Sequence, residues 1–442
     1  MKTLRFYFRL FLTLLIRYKI LVFFGFVAGI FFFFFFPLLL NNLPKFKTTE
    51  KIAIVGRFKL TEIPDDIQNL ISMGLTVVDE SGQAKAGLAK DWKIEDEGKT
   101  YTFNLNTDFN WQDKTKVIAS DVNYNFADVE IYKIDGQTIQ FKLKEPYAPF
   151  LNVVSKPLFK KGYIGFGDYK VNKITKNGEY LQTILLTSSS NNQSNLEYHF
   201  YPTEDSAKTA LKLKEISKIV NLTNKEGWDN WHNIKILPKL RNDRFVGLFF
   251  NLQKSQLDEK AFRQALAYAL EKNYGSSRAL GPISPLSWAY SNEVKPYDYD
   301  LTRAKSLLKT VTDGNKDFKP TLKLLTVSSL LNEAEAVKKS WEKLGVKVEI
   351  GSFNETGDDF DVLLAIQQVP LDPDQYAIWH STQAGNITHM RNARIDKLLE
   401  DGRKLQNPEE RKNIYYDFQR FLVEELPVIF LYHPTSYDIE RI

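Results

Sequence analysis

No cysteine occurs in the 442-residue sequence. That absence excludes disulfides, thiolate metal sites, a cysteine nucleophile and a lipid-modified cysteine. It also suits an exterior compartment, where stray thiols oxidise. Acidic residues are missing from the front of the chain. None precedes Glu50, whereas Lys2, Arg5, Arg9, Arg17 and Lys19 are all cationic. Those residues account for the whole net charge of +5, so the remainder is neutral. A neutral body lacks the basic surface that phosphates demand, and no nucleic-acid partner is expected. Histidine is scarce too. His199, His232, His380, His389 and His433 show no HExxH or other tight ligand spacing. His380 and His389 share the segment WHSTQAGNITHM, where a joint metal and ordinary loop hydrogen bonding both stay open; no metal or cofactor is assigned. Ser381 lacks the Gly-x-Ser-x-Gly elbow that exposes a nucleophile. EGKT at Glu97–Thr100 copies the end of a phosphate loop, but Lys93 stands where the earlier glycine is required, so a hairpin turn is expected. No catalytic set can be assembled from these residues, and no enzyme is expected.

The long hydrophobic run is Ile20 to Leu40, ILVFFGFVAGIFFFFFFPLLL, without a charge. At 1.5 Å per residue it reaches about 31 Å, matching a hydrocarbon core of roughly 30 Å. It is too long for a signal h-region, and no small-x-small cleavage pattern follows it. One transmembrane anchor is expected over 20–40, with a basic cytoplasmic or interfacial segment at 1–19 and a polar tether at 41–50. The 15 residues before the run hold four cations and the 15 after it three, which leans toward a cytoplasmic N-terminus.

Beyond the tether, KIAIVGRF reads as a strand and DDIQNLISMGL as a helix, with Ile67, Leu70 and Ile71 on one face. TYTFNLN and TIQFKLK alternate, placing Tyr101, Phe103, Leu105 and Ile139, Phe141, Leu143 on the buried sides of an antiparallel sheet. The stretch from Lys173 to Asn195 reads as one strand and a polar loop. Helical periodicity then dominates in SAKTALKLKEISKIV, LDEKAFRQALAYALEKN, LTRAKSLLKTV, LNEAEAVKKSWEKLG, RIDKLLEDGRKL and NPEERKNIYYDFQRFLVEEL. Between these helices lie the strands RFVGLFFNL, TLKLLTV, VKVEIGSF and DFDVLLAI. Helix and strand in alternation argue for an α/β lobe.

Four motifs in order carry a family resemblance. The first holds Ala89, Trp92, Gly98, Thr100, Tyr101, Phe103, Leu105, Trp111, Asp113, Ala119, Asp121, Val122, Tyr124 and Phe126. LKEPYAPFL follows, then FNLQKSQLDEKAFRQALAYALEKN, then VPLDPDQYAIWHS through NITHMRNARIDKLLEDGRKL to LPVIFLYHP. Together they span most of residues 50–435, and the chain resembles the peptide- and nickel-type solute-binding proteins of ABC importers, solute-binding protein family 5.

The resemblance implies an α/β, two-lobed periplasmic-binding-protein-like fold of type II. Lobe I would take 51–240, with a sub-domain inserted at about 75–160. Lobe II would take 241–426, and 427–442 would return to lobe I. The chain would be the extracytoplasmic capture component of an importer, taking a peptide or other small solute by hinge closure and presenting it to a permease. Trp379 is expected on the cleft wall, with core packing as the competing reading. Gln367 and Gln368 follow the strand DFDVLLAI and are expected at the ligand. Asp374 would meet a cation or cap the helix after it. Ile63 and Pro64 occupy the place where the family's lobe I backbone meets ligand. Arg263 and Gln264 read as structural.

Departures matter as well. Lys114 replaces the glycine of the W-x-D-G turn, which is therefore expected to differ, and the stretch from Phe126 to Ile131 is short. The family pattern runs on past the position of Ile442. Gln367, Gln368, Val369 and Pro370 stand where peptide binders carry an aspartate for the α-amino group, which would leave a buried ammonium uncompensated. A binding fold turned envelope scaffold or chaperone-like protein is the alternative.

Overall fold

The computed structural model describes residues 7–8, 11, 13, 16–42, 47–225, 227–228, 231–274, 277–314, 320–354 and 359–442. The chain divides into two units, Met1–Thr48 with Asn191–Ser194, and Thr49–Ser190 with Asn195–Ile442. In the first unit a helix runs over Lys19–Asn42, 24 residues, with Phe23, Phe26, Phe32, Phe33 and Phe34 exposed. Side chains of Val22 and residues 36–42 lie outside the described set, as do parts of the expected segments 1–19 and 41–50. Among the described residues, no helix is long and apolar enough to cross a membrane.

The second unit is built on three main sheets. Seven strands lie in the order Ile234–Leu240, Thr435–Arg441, Lys218–Leu222, Thr49–Val55, Asn195–Tyr201, Tyr180–Ser188 and Tyr169–Asn177. One face packs Ile67 and Ile71 of the helix Asp65–Ile71 against Ile184 and Leu186. The other packs Ala207, Ala210 and Leu211 of the helix Glu204–Lys212 against Ile219 and Ile439. The C-terminal strand thus belongs to the same sheet as the first.

Five strands form the core of lobe II, ordered Lys347–Ser352, Thr321–Thr326, Val362–Gln368, Arg244–Phe250 and Val428–Tyr432. Arg244–Phe250 is near-central and covered on both faces, so Phe245 to Phe250 is a continuous buried run. The helices Lys260–Tyr268, Leu301–Gly314, Leu331–Glu342, Ala393–Lys404 and Pro408–Glu425 accompany it. Arg263 is buried and donates to the carbonyls of Leu257, Asp258, Glu425 and Leu426 at 2.6–3.1 Å. It ties off the end of the long helix, which turns at Leu426 with φ +55°. Its role is structural.

The inserted sub-domain is a four-stranded antiparallel sheet, Ala89–Glu95, Thr100–Leu105, Thr138–Leu143 and Val129–Lys133, beside the hairpin Thr76–Val78 and Ala84–Ala86. Tyr101 faces Phe141 and Phe103 faces Ile139 in register, all fully buried. Glu97–Thr100 is the turn between the first two strands. The motif residues explain themselves here. Trp111 Nε1 donates to Asp121 at 2.8 Å, and the Tyr124 hydroxyl donates to the carbonyl of Val154 at 2.7 Å. Neither polar group is left orphaned in the sub-domain core.

Three expectations need correction. SAKTALKLKEISKIV is not one helix: it stops at Lys212, Lys214 takes φ +65°, and Lys218 opens a strand beside Thr49–Val55. Tertiary pairing overrides local periodicity there. Residues 169–188 form two strands of a hairpin instead of one. The turn at Trp111–Thr115 closes despite its missing glycine, with Lys114 N–H donating to Trp111 at 2.7 Å and Lys114 at φ +69°. A left-handed conformation strains a side chain that glycine would not carry. Lys114→Gly is therefore expected to raise stability by about 1 kcal/mol in denaturant titration; an unchanged or lower midpoint would show that this lysine holds a compensating contact.

Candidate functional site

Two connections join the lobes, and they run side by side. Leu240 pairs with Thr435, Arg241 N–H donates to Pro434 O at 2.9 Å, and Val246 pairs with Tyr432. Asp243 lies on the first connection and accepts from its neighbours there, Arg241 Nε and Nη2 at 2.9 and 2.7 Å and Arg244 Nη2 at 2.8 Å. Burial alone would raise its carboxyl, but the hydrogen bonds and charge of both arginines outweigh that and hold it well below the usual range. His433 Nδ1 lies 2.8 Å from the carbonyl of Arg244, and burial lowers its imidazole. The two connections are thus a hydrogen-bonded pair of strand ends, and the first of them is braced internally by two guanidiniums on one carboxylate.

A cavity of about 260 Å³ opens against this hinge. Asn221, Thr223, Ser436 and Tyr437, from the side of the seven-stranded sheet, and Tyr274, Ser329, Leu330, Glu333 and Ile366, from the side of the five-stranded sheet, line its walls. Arg241, Arg244 and Tyr432 line its hinge side. The rings of Tyr274 and Tyr432 stack at 5.0 Å, and the Tyr432 hydroxyl donates to Glu333 Oε1 at 2.8 Å. Burial first, and Glu333 second, push that phenol well above its ordinary value, so it stays a donor. Arg241 Nη1 also reaches Asn221 Oδ1 at 2.9 Å. A larger recess of about 610 Å³ lies along the seven-stranded sheet, lined by residues such as Arg57, Tyr180 and His199, all from lobe I. It touches neither connection.

A second seam closes the sub-domain onto lobe II. Gly82, at φ +87°, stacks its backbone on Leu371; a Cβ there would sit 2.6 Å from the Leu371 carbonyl carbon. Asp372 accepts both Arg411 Nη atoms at 2.8 and 3.0 Å and Asn152 Nδ2 at 3.1 Å. Arg403 lies over the Tyr147 ring at 4.9 Å, and its carbonyl accepts from Ala148 N–H at 2.7 Å.

The six residues expected at the ligand are dispersed around these features, and none lines the hinge cavity. Trp379 is 1% exposed in the lobe II core, its ring 6.4 Å from Phe249 and its N–H bonded to Gln375 Oε1 at 2.8 Å. That placement matches the competing core reading. Gln367 and Gln368 are the register partners of Phe245 and Arg244 and follow Ile366, the residue of their own strand that lines the cavity. Asp374 accepts from Arg403 Nε at 3.0 Å and from the first N–H of the helix Tyr376–Trp379, that of Tyr376, at 3.2 Å; Gln375 is the N-cap, and Asp374 is already paired with a cation. Ile63 is buried and its carbonyl accepts from Gln68; Pro64 precedes the helix Asp65–Ile71. His380 Nδ1 bonds Thr382 Oγ1 at 2.8 Å, and Nε2 lies 3.4 Å from Glu400. Among the described residues, no group of three metal-ligating side chains converges. Sequence reasoning missed Arg241, Arg244 and Glu333. The signal available was R-N-D-R, two cations around one acid immediately before an apolar strand.

Comparison with known proteins decides the family. The middle region of the bacterial extracellular solute-binding proteins, family 5, matches residues 125–387. The chain belongs to family 5. It is therefore a ligand-capturing transport component with a two-lobed α/β fold and no enzymatic step. It is similar to the oligopeptide-binding protein AppA of Bacillus subtilis, 24% identical over 84% of this chain and 82% of that protein. It is also similar to the dipeptide-binding protein of Escherichia coli, 24% identical over 80% and 82%. Among solved structures, NikZ of Campylobacter jejuni with Ni(L-His) is 26% identical with TM-score 0.73, covering 89% of this chain and 94% of that one. AppA of B. subtilis with a nonapeptide gives 0.69 at 22% identity, over 90% and 95%.

The sub-domain seam of this family 5 member rests on one close backbone approach. Gly82→Ala meets both a forbidden φ and the Leu371 backbone, so it is expected to destabilise the protein by more than about 1 kcal/mol. Hydrogen exchange should rise at residues 147–152 and 371–374 together. Protection unchanged in both segments would show that the seam does not depend on this contact.

Proposed function

We propose that the chain is a membrane-anchored, extracytoplasmic solute-binding component of an ABC importer, which closes two lobes over a peptide-like solute and offers the closed form to a permease. The observation that carries this reading is the cavity lined by both lobes against two hydrogen-bonded connections. Parallel connections restrict relative motion to rotation about a short axis, and a ligand touching both walls favours the closed arrangement by its extra contacts there. Similarity to proteins named for oligopeptides, dipeptides and a nickel–histidine complex supports a small polar solute. Gln367 and Gln368 are the sequence-derived residues best placed to join the site, through their pairing with Phe245 and Arg244. Lobe I and lobe II would meet at 241–243 and 433–434.

Anchoring is supported by the uncharged run Ile20–Leu40 within the helix Lys19–Asn42. Its 24 residues reach about 36 Å at 1.5 Å each. A scaffold role is the second reading. It is favoured by Asp372 and Asp374, which are both consumed by Arg411 and Arg403.

Two measurements test these readings. The full chain in detergent, titrated with a mixture of short peptides, is expected to show a saturable change in tryptophan fluorescence and a smaller radius of gyration by X-ray scattering. Absence of both favours the scaffold. Ile30→Lys at the middle of the run is expected to weaken insertion by about 3 kcal/mol and move the protein from the carbonate-resistant membrane fraction to the soluble one. Retention of the variant in the membrane would sink the anchor.

A further inference from the structure

One surface departs from the even balance of charge that follows residue 19. Two segments meet where the inserted sub-domain rejoins the seven-stranded sheet, the turn at 111–116 and the stretch 156–170. Gln112 binds them together, its N–H donating to Gly165 O at 2.9 Å and its Nε2 to Tyr169 O at 2.7 Å. They carry Lys114, Lys116, Lys156, Lys160, Lys161 and Lys170 against Asp113 and Asp168. Asp113 is already committed, to Thr115 Oγ1 at 2.6 Å and to Lys160 at 3.5 Å. The other five lysines are exposed, and among the described residues no acid pairs with them. Lys114 adds strain to this excess. It stands at φ +69°, where glycine would be relaxed, and its N–H bond to Trp111 is one that any residue there could make. No ion pair within the fold offsets that strain, which points the ammonium to something outside it.

The patch has a fixed place on the sheet. Tyr169 pairs with Ser188, Ser188 N–H donates to Asn195 Oδ1 at 3.2 Å, and Asn195 pairs with Thr49. Tyr169 and Thr49 thus stand at the same end of the sheet, three strands or about 15 Å apart. Six residues separate Thr49 from Asn42, and a linker of that length reaches at most about 25 Å. The two connections leave the sheet at its other end, from Leu240 and Thr435.

We propose that this lysine patch rests on a membrane surface of anionic phospholipid. The proposal depends on the anchoring reading above and goes beyond it. The anchor alone would leave the binding unit free to take any orientation, whereas the patch seats one end of the seven-stranded sheet on the headgroups. Each lysine near such a surface favours contact by about fivefold, and several acting together fix an orientation. The short linker keeps the patch within reach of the headgroups. Patch and connections lie at opposite ends of the same sheet, so the seated end is the one away from the hinge cavity.

The test places the full chain in nanodiscs of phosphatidylcholine, with or without added phosphatidylglycerol, and reads acetylation of each lysine by mass spectrometry. Lys114, Lys116 and Lys161 are expected to react at least about fivefold more slowly in the anionic discs. Lys339 and Lys404, on the helices Leu331–Glu342 and Ala393–Lys404, should react alike in both. High salt should remove the difference. Combining Lys114→Gly, Lys116→Gln and Lys161→Gln should bring the rates at Lys156 and Lys170 in anionic discs up to those in neutral ones. The first of these changes relieves strain, so the variant is expected to fold. Equal wild-type rates at the patch in the two lipids overturn the proposal and leave the anchor intact. A chain that does not enter nanodiscs overturns the anchor separately, and flotation with anionic against neutral vesicles then decides the patch. Flotation of the wild type with anionic vesicles alone supports it; any other result overturns it.

Discussion

Asp243 accepts from two arginines at the place where the chain passes between lobes, once outward and once returning. The cluster lies wholly within the outward connection, and what ties that connection to the returning one is the Arg241 N–H bond to Pro434 O and the contact of His433 Nδ1 with the Arg244 carbonyl. The first connection leaves a seven-stranded sheet at Leu240 and enters a five-stranded sheet at Arg244, and the second reverses the path from Tyr432 to Thr435. Because the two are hydrogen-bonded neighbours, their residues have fixed partners at the point where the two sheets meet. A lone connection would act as a swivel and leave no shared wall.

The sub-domain seam obeys a different physics. Asp372 and Arg411 are both about nine-tenths buried and bonded twice. Desolvating such a pair offsets much of its attraction, so it is a weak source of net stability. Its effect is on arrangement: an unpaired charge left in the seam would cost several kcal/mol, and only the docked position of Asn152 and Gly82 completes the network. Arg403 works the same way, covering the Tyr147 ring while bonding Asp374.

Much of this architecture was readable locally. Alternation in TYTFNLN and TIQFKLK named the buried residues of two strands that do pair with each other. The helical periodicity in LNEAEAVKKSWEKLG marked a helix that runs to Glu342, with Gly345 at φ +91° in the turn that follows it. Local pattern failed where a partner far along the chain decides the outcome. ISKIV carries helical spacing, yet it joins a sheet because Ile52–Ile54 offer a parallel edge. The hinge cavity was less legible still. Arg241 and Tyr437 share a wall although almost the whole of lobe II separates them in sequence, and Glu333 reaches it from the first turn of a lobe II helix. R-N-D-R looks like an ordinary polar turn until the return strand is laid beside it. Trp379 shows the converse, since an aromatic among polar neighbours in sequence lies in a core once Phe249 and Gln375 are brought against it.

Charge inventory links the seam to the cavity. The loop after Pro370 holds Asp372 and Asp374, the acids nearest to where family relatives place one for a ligand ammonium. Each already has an arginine, at 2.8 Å and 3.0 Å. A carboxylate so paired has little field left to offer a second cation, and displacing its arginine would strand a buried guanidinium. Glu333 has only a phenol, which donates a hydrogen bond without cancelling the charge. Of the three acids, the one on the cavity wall therefore keeps the greatest capacity to attract a cation.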